Sequence, residues 1–429
     1  MDKLNVLLIG SGGRDHAIAW KLSQSPLLGH LCIAPGNPGT KQHGSNIELD
    51  SSDFEAVEKT VKNHDIDLVI VGPEQPLVDG IEDQLTKKGI LVFGPSRAAA
   101  QLEGSKSFAK EFMEREGIPT AGYRTFTSGD FDKAASYIKE KNKYPVVLKA
   151  DGLARGKGVF ICMDEQEVTQ RLNQLSQNSL KDAASSLVIE EFMEGEEASV
   201  FVISDGTSYK VIHNAQDHKR VGEGDTGLNT GGMGAYAPAP LLTGKLKAQI
   251  DEKITRPTID GMKNAGNPYK GILYIGLMIT DNGPKVVEYN CRFGDPECQV
   301  ILPPLKNDLL QLILSASEGR LLEEEEIKIS EEFYCTVVLA SGGYPTEYQK
   351  GKEITGLDDV DERALIFHAG TTEKDGKLQT SGGRVLSIVG KGETLQQAID
   401  HAYTNVRAVT FEDCYYRRDI GKKGLRKLA

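Results

Sequence analysis

Lys149–Phe160 reads KADGLARGKGVF. Its charge and glycine content suit a phosphate, and what flanks it decides the fold. A phosphate loop of the GxxxxGK[ST] kind needs four residues between its glycines, a hydroxyl after the lysine and a following helix. Here Gly152 and Gly156 enclose three residues, and Lys157 is followed by Gly158. The apolar runs on both sides, PVVLKA and GVFICM, read as strands. The stretch is therefore predicted to be a flexible hairpin over phosphates, with backbone N–H groups and Lys157 as donors. A mobile glycine loop without a ligand gives the same local pattern.

Further β runs follow at short spacing: SLVIEEFMEG, EASVFVI, YKVIHNAQDHKR, and then GILYIGLMIT and PKVVEYN around the turn DNG. They predict a largely antiparallel α+β unit. Upstream the pattern differs. Asn5–Ile9, Leu31–Ala34, Asp67–Val71 and Leu91–Phe93 are short apolar runs alternating with helical segments, each ending in a Gly- or Pro-rich loop. That is a doubly wound parallel sheet, which binds ligands beyond the carboxyl ends of its strands. A third, β-rich stretch runs from Phe333 to about Val389. The predicted fold class is multidomain α/β and α+β. It divides into 1–101, a substrate-binding α/β domain; 102–325, with a hairpin-lid subdomain at about 120–192; and 326–429, a small β-rich domain.

The chain has 429 residues, enough for several domains and a large core. Its net charge of −12 argues against nucleic acid as a partner, so anionic ligands need a local basic site. The six cysteines form no CxxC pair, which argues against structural zinc and fits free thiols in a reducing cytoplasm. The start MDKLNVLLIG has no long apolar region, and no apolar run approaches ~18 residues, so neither a leader nor a membrane span is expected.

Gly10–His16, GSGGRDH, opens a helix after a strand, but Asp15 stands at the third glycine position of a dinucleotide fingerprint. The second strand ends in Ala34-Pro35 rather than in an acid, so nicotinamide binding is disfavoured; a single phosphate at the helix start, or a tight turn, both fit. Glu74 ends a strand and is either an acceptor for sugar hydroxyls or a solvated turn carboxylate. In Val188–Ser199, VIEEFMEGEEAS, Glu197 is a candidate for a ribose. The sharpest constellation is Lys285–Glu297, KVVEYNCRFGDPE. In a strand, Glu288 and Asn290 share a face and offer hard oxygen ligands for Mg²⁺. Arg292 is expected to continue that face as an anion clamp, and Asp295, in a Gly-Pro turn, to hold an ammonium group. Ala215–Pro240 is expected to be a long irregular loop, functional or disordered, with Asp217, His218, Lys219, Arg220 and Asn229 as its polar groups; His218 fits a base, but a structural or solvated histidine is the commoner case.

Taken together, the lysine hairpin, the EEF strand and Glu288-x-Asn290 resemble the ATP-grasp superfamily in kind and order. More narrowly, the chain resembles the phosphoribosylamine–glycine ligase family. GSGGRDHA, APGNPGT, IVGPEQPL, QLEGSK, KADGLARGKGV, AQDHKR, NTGGMGAY, EYNCRFGDPE, FHAGT and GGRVL carry the resemblance along nearly the whole chain. It implies ATP-dependent ligation of glycine to 5-phosphoribosylamine through glycyl phosphate, a step of purine biosynthesis, in a cytoplasmic protein expected to be a monomer. It implies Glu288 and Asn290 as ligands of Mg²⁺ or Mn²⁺. Lys106, Lys149 and Lys157 would contact phosphates or adenine, with Glu190, Glu191 and Phe192 near the adenine and Glu197 on the ribose. Arg292, Asp295 and Lys157 would be catalytic, Arg292 steadying the transferring group and Asp295 holding the glycine ammonium. Gly12, Gly13, Glu74, Asp217, Lys219 and Asn229 would face the phosphoribosylamine.

The chain departs from the family's usual residues at Asp15, Arg155, Leu228 and Cys298, none of which is an implied ligand. Many ATP-grasp proteins also carry an acid on the strand before Glu-x-Asn, where this chain has GLMIT. An ATP-grasp carboxylase would have no use for an ammonium-holding Asp295. A non-catalytic nucleotide sensor would have no use for the full Lys157, Glu288, Asn290 and Arg292 set.

Overall fold

The computed structural model describes residues 3–127, 129–153, 158–177 and 186–428. Near the N-terminus, β1 (Leu4–Gly10), β2 (Leu28–Pro35), β3 (Ser45–Asn46), β4 (Leu68–Val71) and β5 (Leu91–Phe93) form one sheet in the order β3-β2-β1-β4-β5. Every pairing in it is parallel. The strands are apolar without alternation because helices and neighbouring units cover both faces, and LVIV of β4 is buried throughout. The strand order reverses at β1 and β4, so their carboxyl ends set the Gly10–Gly13 turn beside Gly72–Glu74.

The lid subdomain is a four-stranded antiparallel sheet of β6 (Tyr123–Thr127), β7 (Val146–Ala150), β8 (Val159–Cys162) and β9 (Ser186–Glu191), in the order β6-β9-β7-β8. β7 and β8 are the two sides of the predicted hairpin. They pair from Val146↔Cys162 to Lys149↔Val159. The lid's helices Phe131–Lys141 and Glu165–Gln177 close a core of its own, with Phe126, Ile138, Leu148, Leu172 and Ile189.

The largest sheet has nine strands. β10 (Glu196–Asp205), β11 (Tyr209–Asp217), β14 (Gly234–Ala237), β15 (Lys270–Thr280), β16 (Gly283–Asn290), β17 (Phe333–Ser341), β18 (Leu365–His368) and β21 (Arg384–Gly392) run in the order β16-β15-β10-β11-β14-β17-β21-β18. β22 (Cys414–Tyr415) joins β17. Two small hairpins complete the strands: β12 (Arg220–Gly222) with β13 (Thr226–Asn229), and β19 (Thr371–Lys374) with β20 (Lys377–Thr380). β14 pairs β17, so the sheet continues across the boundary placed at 325/326. The helix Leu395–Val406 lies on β17 and β21. A Cβ on Gly390 would stand 2.2 Å from Ala402 N, so only glycine lets strand and helix backbones meet there.

Two expectations are corrected. Ala215–Pro240 is not one irregular loop: it contains the end of β11, the β12–β13 hairpin and β14. Some of its glycines serve close packing: a Cβ on Gly234 would lie 2.6 Å from Thr336 O on the neighbouring strand. Arg292 does not continue the face of Glu288 and Asn290, because β16 ends at Asn290 and the chain then turns toward the N-terminal unit.

Candidate functional site

The site lies where the end of β16 meets the lid and the carboxyl ends of β1 and β4. Glu288 and Asn290 pair with Gly276 and Tyr274 of β15, two residues apart on one face, and both are half-buried. Gly276 opposite Glu288 leaves room for that carboxylate, whose Cγ a Cβ would approach to 3.1 Å. Burial would raise the Glu288 pKa, but Lys219, Lys149, Lys106 and Arg292 together hold it below the usual value. No cluster of three or more His, Cys, Asp or Glu suited to a metal occurs among the described residues. A cation on Glu288 and Asn290 would therefore need ligand oxygens from elsewhere, and Mg²⁺ is commonly held by one or two carboxylates together with substrate phosphates. One carboxylate and one amide oxygen on one face fit that use.

Arg292 faces the N-terminal unit. Its Nε donates to Glu74 Oε2 at 3.2 Å, Nη2 to Glu103 Oε1 at 3.0 Å, and Nη1 to Phe293 O at 3.1 Å. Glu74 opens the helix Glu74–Asp79. Burial would raise its pKa, but Arg292 and Arg14 bring it down to about 2. Asp295 Oδ1 accepts from Gln299 Nε2 at 3.0 Å and lies 3.3 Å from Arg384 Nη1. Among the described residues its Oδ2 accepts a single 3.3 Å bond, from Arg14 N–H. Burial works against the charge of Asp295, but Arg384 and Arg14 keep its pKa low.

Gly12 and Gly13 begin the helix α1 (Gly13–Leu22) against this turn. A Cβ on Gly12 would be 3.4 Å from Asp295 Oδ2, and one on Gly13 2.6 Å from Gln299 Nε2. The N–H groups of Ser11 and Gly12 already donate to Asp15 Oδ2, at 2.9 and 2.8 Å. The Asp15 carboxylate fills the space that Gly10 and Gly72 leave: a Cβ on either would come within 2.2 Å of it. Asp15 thus supplies the turn with its own internal hydrogen-bond acceptor.

On the lid side, strand alternation separates the two neighbouring acids. Glu190 points inward, where its Oε1 lies 2.9 Å from Lys149 Nζ and 3.2 Å from Lys110 Nζ. Burial, only partly offset by Glu190, brings Lys110 down to about 8. Glu191 points outward toward Lys143 at 3.6 Å and is well exposed, as is Phe192. Lys149 Nζ also donates to Val287 O of β16 at 3.1 Å, and Lys106 Nζ to Gly152 O at 2.7 Å. Asp151, at the hairpin base, accepts from Ser186 Oγ at 2.6 Å, Lys106 N–H at 2.6 Å and Gly152 N–H at 3.0 Å, and from Ser107 Oγ. Burial disfavours its charge, but these donors hold its pKa below the usual carboxylate value. Lys157 and Arg155 lie outside the described residues.

A second charged group lies along β10, β11 and β16. Lys219 Nζ is 2.8 Å from Glu197 Oε2 and 3.4 Å from Glu288 Oε1, so one ammonium bridges the candidate ribose and metal carboxylates. Desolvation opposes its charge, but Glu197, Tyr274, Glu288 and Asp217 raise its pKa well above the usual value. Asp217 is buried and pushed up to about 6 by desolvation, against Lys219. Glu297, also buried, is pushed up to about 8 by desolvation and by Asp217. Asn229 stands on the β12–β13 hairpin opposite Arg220. His218 is structural: its Nε2 accepts from Gly421 N–H at 3.4 Å, and burial lowers it to about 3.

Five side chains of this site were not singled out from the sequence: Arg14, Glu103, Lys110, Glu297 and Arg384. Glu103 and Arg384 sit inside QLEGSK and GGRVL, stretches that carried the resemblance, and Arg384 Nη1 donates to Asp295 O at 2.6 Å and Gly231 O at 2.9 Å. Lys110 carries no local signal, since it reads as an ordinary helical lysine.

Similarity to known proteins covers the same three units. Residues 4–103 match the phosphoribosylglycinamide synthetase N domain, 104–298 its ATP-grasp (A) domain and 334–423 its C domain. The phosphoribosylamine–glycine ligase of Rhizobium meliloti is 48% identical over 418 residues, covering 97% of this chain and 98% of that protein. The bifunctional purine biosynthetic protein of Pichia angusta is 47% identical over the whole of this chain, which spans 54% of that longer relative. The crystal structure of the Thermotoga maritima phosphoribosylamine–glycine ligase superposes with a TM-score of 0.83 at 37% identity, covering 97% of this chain and 100% of that one. Campylobacter jejuni biotin carboxylase shares the fold, with a TM-score of 0.74 at 16% identity over 96% of this chain and 93% of that one. The chain belongs to the phosphoribosylamine–glycine ligase family, with the family's N-terminal, ATP-grasp and C-terminal units in order.

Proposed function

We propose that the chain ligates glycine to 5-phosphoribosylamine, converting ATP to ADP and phosphate and forming glycinamide ribonucleotide in purine biosynthesis. The observation that carries this reading is the convergence on one strand end of Glu288 and Asn290, Lys149 of the lid, and Arg292 paired with Glu74 of the N-terminal unit. It brings a phosphate-handling set and a second-substrate surface within reach of one another.

A carboxylate is a poor acyl donor at neutral pH. Glycine's carboxylate oxygen attacks the γ-phosphorus of ATP and ADP leaves. The phosphoribosylamine nitrogen then attacks the carbonyl carbon of glycyl phosphate, loses a proton and expels phosphate. Phosphoryl transfer needs positioning and charge neutralisation more than covalent help. Lys106, Lys149 and Lys157 hold phosphates or adenine, and Glu190, Glu191 and Phe192 lie along the adenine. Glu197 takes the ribose, and Arg292 steadies the transferring group. Asp295 holds the glycine ammonium through Oδ2, the oxygen with the weaker internal bond. Gly12, Gly13, Glu74, Asp217, Lys219 and Asn229 face the phosphoribosylamine. Glu288 and Asn290 hold Mg²⁺ or Mn²⁺, which when bound neutralises charge spreading over the phosphoryl oxygens.

The proposed units 1–101, 102–325 and 326–429 then divide the work: substrate surface, nucleotide clamp, and a buttress that reaches the Asp295 turn through Arg384. Among the described residues no helix is long and apolar enough to cross a membrane. The net charge of −12 supports a chain without a nucleic-acid partner, and six free thiols support a reducing cytoplasm, where we place it as a monomer.

Phosphate release from ATP, measured with glycine and phosphoribosylamine each omitted in turn, tests the reading. Release is expected to depend on glycine; release unaffected by its omission would sink the ligase reading. Glu288→Gln is expected to lower turnover by about 10²-fold or more, as loss of transition-state charge stabilisation does. Near-normal rates would refute the metal assignment.

A further inference from the structure

We propose that Glu103 is a positioning residue whose carboxylate sets the direction of the Arg292 guanidinium. Glu103 lies in the short helix Gln101–Gly104, and its side chain is 9% exposed. One oxygen, Oε2, accepts from Cys291 N–H at 2.7 Å and from Cys291 Sγ–H at 3.1 Å. The other, Oε1, accepts from Arg292 Nη2 at 3.0 Å. A single buried carboxylate therefore grips two successive residues just beyond the end of β16. It fixes where the backbone turns and where the guanidinium points.

Glu74 on Nε and Phe293 O on Nη1 complete the hold. A guanidinium has five N–H donors, and these contacts leave one on each terminal nitrogen for a ligand. A free arginine side chain loses rotamer entropy when it is held, and an already fixed fork has less to lose when it meets developing charge. Both oxygens of Glu103 are occupied by the chain, so it acts through Arg292 and touches no substrate. This inference rests on the role given to Arg292 above.

A double-mutant cycle on glycine-dependent phosphate release tests it. Glu103→Gln keeps an acceptor for Cys291 but removes the charge facing Arg292. Its kcat is expected to fall by about 10- to 100-fold, the cost of a misplaced catalytic group. KM for ATP and glycine is expected to move less than about threefold. Adding Glu103→Gln to Arg292→Met is expected to cause no further loss. Independent, multiplying losses, or a change confined to KM, would overturn the inference. A strongly impaired Arg292→Met beside a normal Glu103→Gln would sink this inference alone; a normal Arg292→Met would sink the role of Arg292 itself. If Glu103→Gln fails to fold, chemical rescue decides. Free guanidinium is expected to restore activity to Arg292→Ala, because Glu103 and Glu74 still form its seat. No rescue counts against that seat.

Discussion

The lid and the body of this molecule are built on different terms. The lid has a private core: Phe126, Ile138, Leu148 and Ile189 pack among themselves and with the lid's own helices. The other units share their cores. Leu7 and Ile9 of β1 belong to one cluster with Leu273 and Val286, while Val6 and Leu8 belong to another with Phe201, Ala235, Phe367 and Val389. At the clamp the lid meets the body through polar contacts: Asp151 with Ser105, Lys106 and Ser107, and Lys149 with Val287 O. Shared apolar packing resists relative motion because interiors are close-packed, whereas polar contacts can be exchanged for a ligand's. In the proposed reaction the body would hold the metal and acyl geometry still, and the lid would be the part free to close over a nucleotide and exclude water.

The strongest way to break this comparison is to cut into each core. Phe201→Ala removes a fully buried ring from the shared cluster and is expected to cost about 3–5 kcal/mol, lowering the main calorimetric transition. Leu148→Ala is expected to cost about 2–5 kcal/mol but to melt the lid first, as a separate earlier transition. A single shifted transition for both variants would mean that lid and body are one cooperative unit.

The polar joint should respond less than the cores. Asp151→Asn keeps the shape and removes the charge that gathers Ser107, Ser186 and three backbone N–H groups, so it is expected to cost about 1.5–3 kcal/mol. Hydrogen exchange of the lid is expected to rise while that of β10 and β15 stays unchanged. The folded pKa of Asp151 lies below its unfolded value, so its contribution is full above about pH 4 and is lost as pH falls through the folded value.

Mild acid gives the smallest effect and separates the regions by composition. His213 and His368, lowered by burial to about 4, and His218, lowered to about 3, all lie in the body, while residues 120–192 contain no histidine. Groups kept neutral when folded contribute stability that is full above about pH 6.5 and lost as pH falls toward those values. From about pH 7 to about pH 6 these histidines are expected to lower the body's transition slightly, offset in part by the raised Glu297 and Asp217, while the lid's holds. A lid that weakens first over that range would contradict the assignment of these histidines.

What the sequence made legible is what local pattern can encode. The four N-terminal runs became β1, β2, β4 and β5, and the lysine hairpin became β7 and β8. Glu288 and Asn290 share a face because period two is a backbone property. The same rule places Arg292 on that face, but it stops applying where β16 ends. Its partner Glu103 lies 189 residues away in sequence, and Arg384 lies 89 residues from Asp295; nothing local specifies either meeting. In Ala215–Pro240 the glycines suggest a loop by composition, while several of them let short strands pack closely.

The central claim is that glycine is activated as an acyl phosphate in this site. It can be tested by following the carboxylate oxygens of glycine labelled with ¹⁸O through one turnover with ATP and 5-phosphoribosylamine. The account predicts one labelled oxygen in the released phosphate and the other in the amide product. Unlabelled phosphate would mean that water, not glycine, attacks the nucleotide, and would contradict the account.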